Sequence, residues 1–149
     1  MGRMWSAVMP WSALAVMVFA GTAAAQQQGQ VTLTAELTGA AEAPSAGETN
    51  GSGTASITLE PAKGQVCYDI TVSNIQNATA AHIHEGAEAK AGPPVVMLKP
   101  PANGHVKGCA SAKASVIAAI AKDPSGYYVN VHDKKFPKGA IRGQLERTM

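Results

Sequence analysis

Three histidines are the residues of this chain best suited to chemistry at one shared site. His82 and His84 are separated only by Ile83, and His132 follows Val131 at the end of a second apolar run. If both runs are strands, Ile83 points into the core and the two flanking histidines share the other face, with Cα atoms about 6.6 Å apart. Neutral imidazoles at that spacing can bind one ion, and they suit copper and zinc. The pattern therefore indicates a metal site formed by His82, His84 and His132.

An arginine is predicted to point away from the core, on the same outer face as these histidines. We call the alternate strand positions on that face the outer phase and those that point inward the core phase. Ile141 and Leu145 take the core phase of the last apolar run, so Arg142 and Gln144 point outward. A guanidinium beside a bound cation would attract an anion, or act in the shell around the ligands, rather than coordinate the metal. His105 lies in a glycine-bounded turn and is expected at the surface.

Two other interpretations of this polar face stay open. An antiparallel sheet commonly shows polar side chains to water on one face, so the histidines and Arg142 could form a hydrogen-bond network in a structural or adhesive domain. Cys67 also takes an outer phase, and with two histidines it could form an electron-transfer copper site. A disulfide between Cys67 and Cys109 competes with that site for the same thiol.

The elements that must position these residues are short strands. Alternating apolar residues, with a hairpin turn at Pro61 to Gly64, predict strands over residues 31–38, 54–59, 66–72, 79–84, 94–98, 105–110, 127–132 and 140–145. An alanine-rich run from Ser111 to Lys122 has helical spacing and stops before Pro124, which predicts one short helix. Seven or eight strands with one helix indicate an all-β fold, an antiparallel β-sandwich.

Length and charge are typical of one exported domain. The chain has 149 residues, of which 26–149 form the expected single domain with its core at 31–145. Without Arg3 it carries 11 basic and 10 acidic side chains and no block of like charge. A nucleic-acid-binding protein would show a basic stripe, so that class is excluded.

Residues 1–25 have the features of a secretory signal peptide. Arg3 precedes an apolar stretch from about Ala13 to Ala20, and small residues lead to an expected cleavage site after Ala25. The stretch is shorter than the roughly 20 residues that span a bilayer, so no membrane span is expected after cleavage. The protein is expected to be secreted or periplasmic.

Export makes a disulfide the expected state of the two cysteines, because the compartment is oxidising. A bond between Cys67 and Cys109 would close a loop over residues 67–109 and contribute about 4 kcal/mol in the chain-entropy model. Asn50 and Asn77 begin N-glycosylation motifs, which matter only in a glycosylating host.

Four ordered motifs resemble the CHRD domain, which is named after chordin and is also found in exported bacterial proteins. They are Ala81-His-Ile-His-Glu-Gly86, Gly92-Pro-Pro-Val-Val96, Tyr127-Tyr-Val-Asn-Val-His132 and Pro137-Lys-Gly-Ala-Ile-Arg-Gly-Gln-Leu145. The resemblance covers about Val31 to Leu145. It implies an immunoglobulin-like Greek-key β-barrel similar to that of copper/zinc superoxide dismutases, with the strand of His132 close to that of His82 and His84. It implies no particular biochemical activity.

The similarity to these dismutases extends to single residues. His82 and His84 match the first His-x-His copper motif, and His132 matches the copper ligand that ends a later strand. Arg142 matches the active-site arginine of the closing strand. His105 is the only histidine between the two histidine strands, so the bridging histidine and the zinc ligands have no counterpart. The resemblance implies a mononuclear copper or zinc site in a binding module, or alternatively a dismutase-type redox enzyme, with a metal ion or another extracellular protein as partner.

Overall fold

The computed structural model describes Gly2 and residues 29–148. Over residues 29–148 the chain forms nine strands and one α-helix. In chain order these are β1 (Val31–Thr38), β2 (Ser52–Glu60), β3 (Gln65–Ser73), β4 (Ala80–Glu85), β5 (Pro94–Leu98), β6 (His105–Ser111), α1 (Ala114–Lys122), β7 (Tyr127–His132), β8 (Ile141–Gln144) and β9 (Glu146–Arg147).

The strands form one antiparallel sheet in the order β5-β4-β7-β8-β1-β2-β3-β6, with β9 added beside β1. The edge strands β5 and β6 also contact each other, so the sheet curls into a nearly closed barrel. The chain crosses from β3 to β4 and returns in β6 beside β3, which is a Greek-key connection. The predicted antiparallel β-sandwich with one short helix is confirmed in this form.

The helix begins later than its amino-acid pattern predicts. Ser111 still pairs with Gln65, so β6 continues to that residue, and Lys113 has extended backbone angles. The helix therefore begins at Ala114. It ends at Lys122. The next residue, Asp123, precedes Pro124, whose ring clashes with a helical conformation of the residue before it, so Asp123 has non-helical backbone angles.

The core is aliphatic and follows the predicted strand phases. Strands β1 to β5 send alternate side chains inward, and two residues of α1, Ile117 and Ile120, complete the cluster. Burying one such side chain fully contributes roughly 1.5–3 kcal/mol. Among the side chains with no exposed area are those of Leu33, Ile57, Leu59, Ile70, Ile83, Val129, Val131, Ile141 and Leu145.

Two loops cover the outer face of β4, β7 and β8. The loop between β1 and β2 contacts this face through Glu42 and through Glu48, whose N–H donates to the carbonyl of Ala140. The loop between β4 and β5 accepts hydrogen bonds from Arg142. Asn130 and Arg142 are only 2% and 1% exposed as a result. Polar side chains on this outer face therefore lie in a second, partly enclosed layer between the sheet and the two loops.

The predicted disulfide is present between Cys67 and Cys109. The two residues face each other directly in the β3–β6 ladder, with Cα atoms 3.9 Å apart. The bond ties edge strand β6 to the sheet.

No helix among the described residues is long and apolar enough to cross a membrane. Apart from Gly2, the predicted signal peptide lies outside the described residues.

Candidate metal centre

The three predicted histidines come together on the outer face of β4 and β7. Nδ1 of His82 lies 3.1 Å from Nε2 of His132. One ring nitrogen from each of His82, His84 and His132 lies within 4.8 Å of the others. Nitrogens that surround one ion at about 2.0–2.1 Å each lie roughly 3–4 Å apart, so the 3.1 Å pair already has this spacing and His84 needs only a small side-chain movement to join it.

Strand register explains why the histidines meet. In the β4–β7 ladder, His82 faces Asn130 and Ala80 faces His132, so His132 is the diagonal neighbour of His82. Diagonal neighbours in an antiparallel pair are within reach of long or aromatic side chains. Ile83 and Val131 are fully buried and fix the phase of both strands.

Backbone carbonyls select which nitrogen carries the proton in two of the three imidazoles, those of His84 and His132. Nδ1 of His84 lies 2.8 Å from the carbonyl oxygen of Gly92, and Nδ1 of His132 lies 3.0 Å from that of Pro137. A carbonyl oxygen only accepts, so each Nδ1 carries the hydrogen and donates it. Each Nε2 then keeps a lone pair for a metal. Carbonyl partners of this kind orient metal-ligating histidines.

One of these lone pairs has no partner. Nε2 of His84 is buried and makes no hydrogen bond, although buried polar atoms are normally paired. A cation bound between the histidines would satisfy it. The donor set therefore fits a metal such as copper or zinc, both of which accept neutral imidazole.

Electrostatics keep the imidazoles neutral. Burial, followed by the neighbouring His132 and His84, lowers the pKa of His82 to about 4. Burial also lowers the pKa of His84 and of His132, although their carbonyl partners act in the opposite direction. Neutral imidazole is the form that binds a metal, so none of the three rings has to lose a positive charge before binding at neutral pH.

Arg142 lies on the same face but is directed at the β4–β5 loop. Its two terminal nitrogens donate to the carbonyls of Lys90 and Ala87, each at 2.8 Å, and one also donates to Gln144 Oε1 at 2.9 Å. Its guanidinium carbon lies 3.5 Å from the ring centre of Tyr128. The outer phase predicted for Arg142 is observed, whereas its burial under a loop could not be predicted from strand alternation.

Tyr128 is a site residue to which the sequence pattern assigns no role. Its ring stacks on the imidazole of His84, with centroids 4.9 Å apart and planes 10° from parallel. Its hydroxyl accepts a hydrogen bond of 3.2 Å from the N–H of Gly92, whose carbonyl holds His84. Tyr128 thus contacts His84 directly and also holds the loop residue that orients it. Strand alternation places Tyr128 on the same face as Asn130 and His132, but its position opposite His84 depends on the register of the two strands.

Glu42 and Asn130 form a second polar contact beside the histidines. Asn130 faces His82 across the ladder, and its Nδ2 donates to Glu42 Oε1 at 2.5 Å. Burial raises the pKa of Glu42 to about 7, even though the charge of Arg142 favours the carboxylate. The Oδ1 of Asn130 is buried without a hydrogen-bond partner. Glycine suits position 139 because its φ is 146°, a conformation that side-chain-bearing residues rarely adopt, and a Cβ there would also displace the Glu42 carboxylate.

His105 does not belong to this cluster. It is exposed on β6, where its Nε2 lies 2.8 Å from Asp69 Oδ1. The expected surface position of His105 is therefore observed, and the residue provides an imidazole that is not part of the three-histidine cluster.

Fold and site together define a Greek-key β-barrel with a three-histidine cluster on its outer face. The CHRD domain family matches residues 33–145, and the chain belongs to that family. Neither a curated protein nor a solved structure shows a significant match to the chain.

Proposed function

We propose that the protein is an exported CHRD-domain binding module whose outer face holds one copper or zinc ion. The observation that carries the proposal is the buried, unpartnered Nε2 of His84, a residue that clusters with His82 and His132. Leaving a buried acceptor unpaired costs roughly 1–3 kcal/mol, and a bound cation would remove that cost.

The ligand atoms follow from the hydrogen bonds. His84 and His132 each use Nδ1 to donate to a carbonyl, which leaves Nε2 to bind the metal. His82 would use Nδ1, the atom nearest to His132. Without metal this Nδ1 carries the hydrogen that it donates to Nε2 of His132, so metal binding would move the proton of His82 to its own Nε2. The metal would supply a positive centre with room for a further ligand, since a zinc site with three protein ligands keeps its fourth position open.

The surrounding residues would hold the ligands rather than the ion. Arg142 donates to the loop carbonyls of Ala87 and Lys90, and this loop also carries Gly92, the partner of His84. This contact supports the predicted role of Arg142 in the shell around the ligands. Its guanidinium would position the loop, which is a different task from attracting an anion.

Metal titration tests the proposal. We expect the metal-free protein to bind Cu(II) or Zn(II) in a one-to-one ratio, and His132→Ala to weaken binding by at least 100-fold because one of three ligands is lost. The matched control is His105→Ala, which removes an imidazole far from the cluster and should leave the affinity unchanged. Equal affinities in all three proteins would contradict the proposal.

A purely structural role is the competing function, and one contact favours it. His82 and His132 hydrogen-bond directly at 3.1 Å, so they can satisfy each other without an ion. Elemental analysis of the protein purified from its native compartment distinguishes the two functions, since a structural network needs no stoichiometric metal. Superoxide turnover by the metal-loaded protein would instead support the dismutase-type enzyme.

Export has its own test. We expect the mature protein to begin at Gln26 and to be recovered outside the cytoplasm. Amino-terminal sequencing of that fraction would establish the cleavage site, and an intact leader on protein in the cytoplasm would contradict export.

A further inference from the structure

Met97 is a large apolar side chain that points into water. It lies near the end of β5 and is 63% exposed, whereas its neighbours Val96 and Leu98 are buried in the core. Among the described residues it is the one large hydrophobic side chain classed as exposed. Core packing explains the apolar residues on either side of it but does not explain Met97.

The register places Met97 next to the candidate metal centre. Met97 faces His82 directly in the β4–β5 ladder, and directly opposed residues of an antiparallel pair project from the same face. One row across the outer face therefore runs from Met97 to His82 and on to Asn130. The edge strand thus brings a thioether beside His82, one of the three clustered histidines.

We infer that Met97 provides a sulfur ligand for copper in its Cu(I) state, so that the site discriminates Cu(I) from Zn(II). The inference rests on the proposed metal-binding function and adds a fourth residue to it. Thioether sulfur is a soft ligand that selects Cu(I), whereas imidazole alone accepts both copper and zinc. No redox step is involved, because the ion is bound as Cu(I).

The side chain has the reach and freedom that such a role needs. Opposed Cβ atoms in an antiparallel pair are about 4.5–5.5 Å apart, and methionine is unbranched with three rotatable bonds. Because Met97 is exposed, it can turn towards His82 without leaving a cavity in the core. A leucine would fill the same space but would provide no sulfur.

The test compares wild type with Met97→Leu. Under anaerobic conditions with ascorbate as reductant, Cu(I) affinity is measured by competition with a chromogenic Cu(I) chelator, and Zn(II) affinity is measured separately. We expect Met97→Leu to weaken Cu(I) binding by roughly tenfold and to leave Zn(II) binding unchanged, because only the soft ion gains from sulfur. X-ray absorption of the Cu(I) form should show a sulfur scatterer in wild type that is absent from the variant.

The outcomes separate this inference from the proposed function. If wild type binds Cu(I), loses it on His132→Ala and shows only nitrogen scatterers, the role of Met97 is overturned while the histidine site stands. A parallel loss of Cu(I) and Zn(II) affinity in Met97→Leu would likewise overturn it, because it would show a general effect on the site. If wild type binds neither ion, both proposals fail.

Discussion

At the scale of single residues, burial sets the protonation of the site and predicts how its stability depends on pH. The pKa of His82 is about 4 in the folded protein, against an ordinary value of 6.5. Between these values the unfolded chain binds more protons, so the stability that His82 contributes is lost as the pH falls from about 6.5 to about 4. Urea unfolding of the metal-free protein should show that, as the pH falls over this range, the free energy of unfolding decreases more steeply in wild type than in His82→Gln. Equal slopes would contradict the depressed pKa.

The titration of Glu42 makes the stability of the fold depend on pH in the opposite direction. Its pKa is about 7 in the folded protein and 4.5 ordinarily, so the folded state binds more protons between these values and loses stability as the pH rises through them. Glu42→Gln keeps an oxygen to accept from Asn130 and cannot ionise. We expect the variant to gain stability relative to wild type as the pH rises from about 4.5 to 7, with no further change above. A difference in unfolding free energy that stays constant over this range would show that Glu42 titrates normally.

At the scale of elements, the β4–β5 loop is the part that positions His84. Tyr128 stacks on His84 and accepts from Gly92, so it contributes in two ways. Tyr128→Phe keeps the stacked ring and loses the hydroxyl acceptor, whereas Tyr128→Leu loses both. Outer contacts of this type affect metal affinity by 10–100-fold, so we expect Tyr128→Phe to show a small loss and Tyr128→Leu a larger one within about that range.

Metal titration of the two tyrosine variants checks this order, and the NMR signal of the His84 Nδ1 proton provides a readout that general destabilisation would not change. Loss of that signal in Tyr128→Leu, with the fold intact by circular dichroism, would locate the effect at the Gly92 contact. Identical metal affinity in wild type and both variants would remove Tyr128 from the site.

The sequence predicted the strands and their faces because a period of two residues is a local property. Ile83 in the core is enough to place His82 and His84 outside. The approach of His132 depends on which strands are neighbours, and that came from the family resemblance. The burial of Arg142 could not be predicted, because its carbonyl partners Lys90 and Ala87 are 52 and 55 residues away and alternation carries no information about loops. The late start of the helix was missed for a similar reason, since pairing with β3 extends β6.

At the scale of the whole molecule, the disulfide and the candidate metal centre stabilise different parts of the barrel. The bond joins β3 to β6, whereas the histidines lie on β4 and β7, which neighbour neither of those strands in the sheet. The loop that it closes contains β4 and β5, so the bond restricts the unfolded chain around two of the histidines. In the folded state, however, the position of β4 is fixed by its own ladders with β5 and β7. The bridge should therefore affect stability without affecting the geometry of the site.

A double variant tests this independence. Cys67→Ala with Cys109→Ala should lower the free energy of unfolding by about 4 kcal/mol, the chain-entropy value for a loop of this length. Metal affinity should stay within about twofold of wild type, because distant sites without shared partners are nearly additive. Saturating metal, at about 100 times its dissociation constant, should then stabilise both proteins by the same amount, about 2.7 kcal/mol. Urea unfolding with and without metal measures, in each protein, the free energy of unfolding and the stabilisation that bound metal adds. If the double variant is folded but no longer binds metal, the disulfide also positions the histidines, and the two parts of the barrel are coupled.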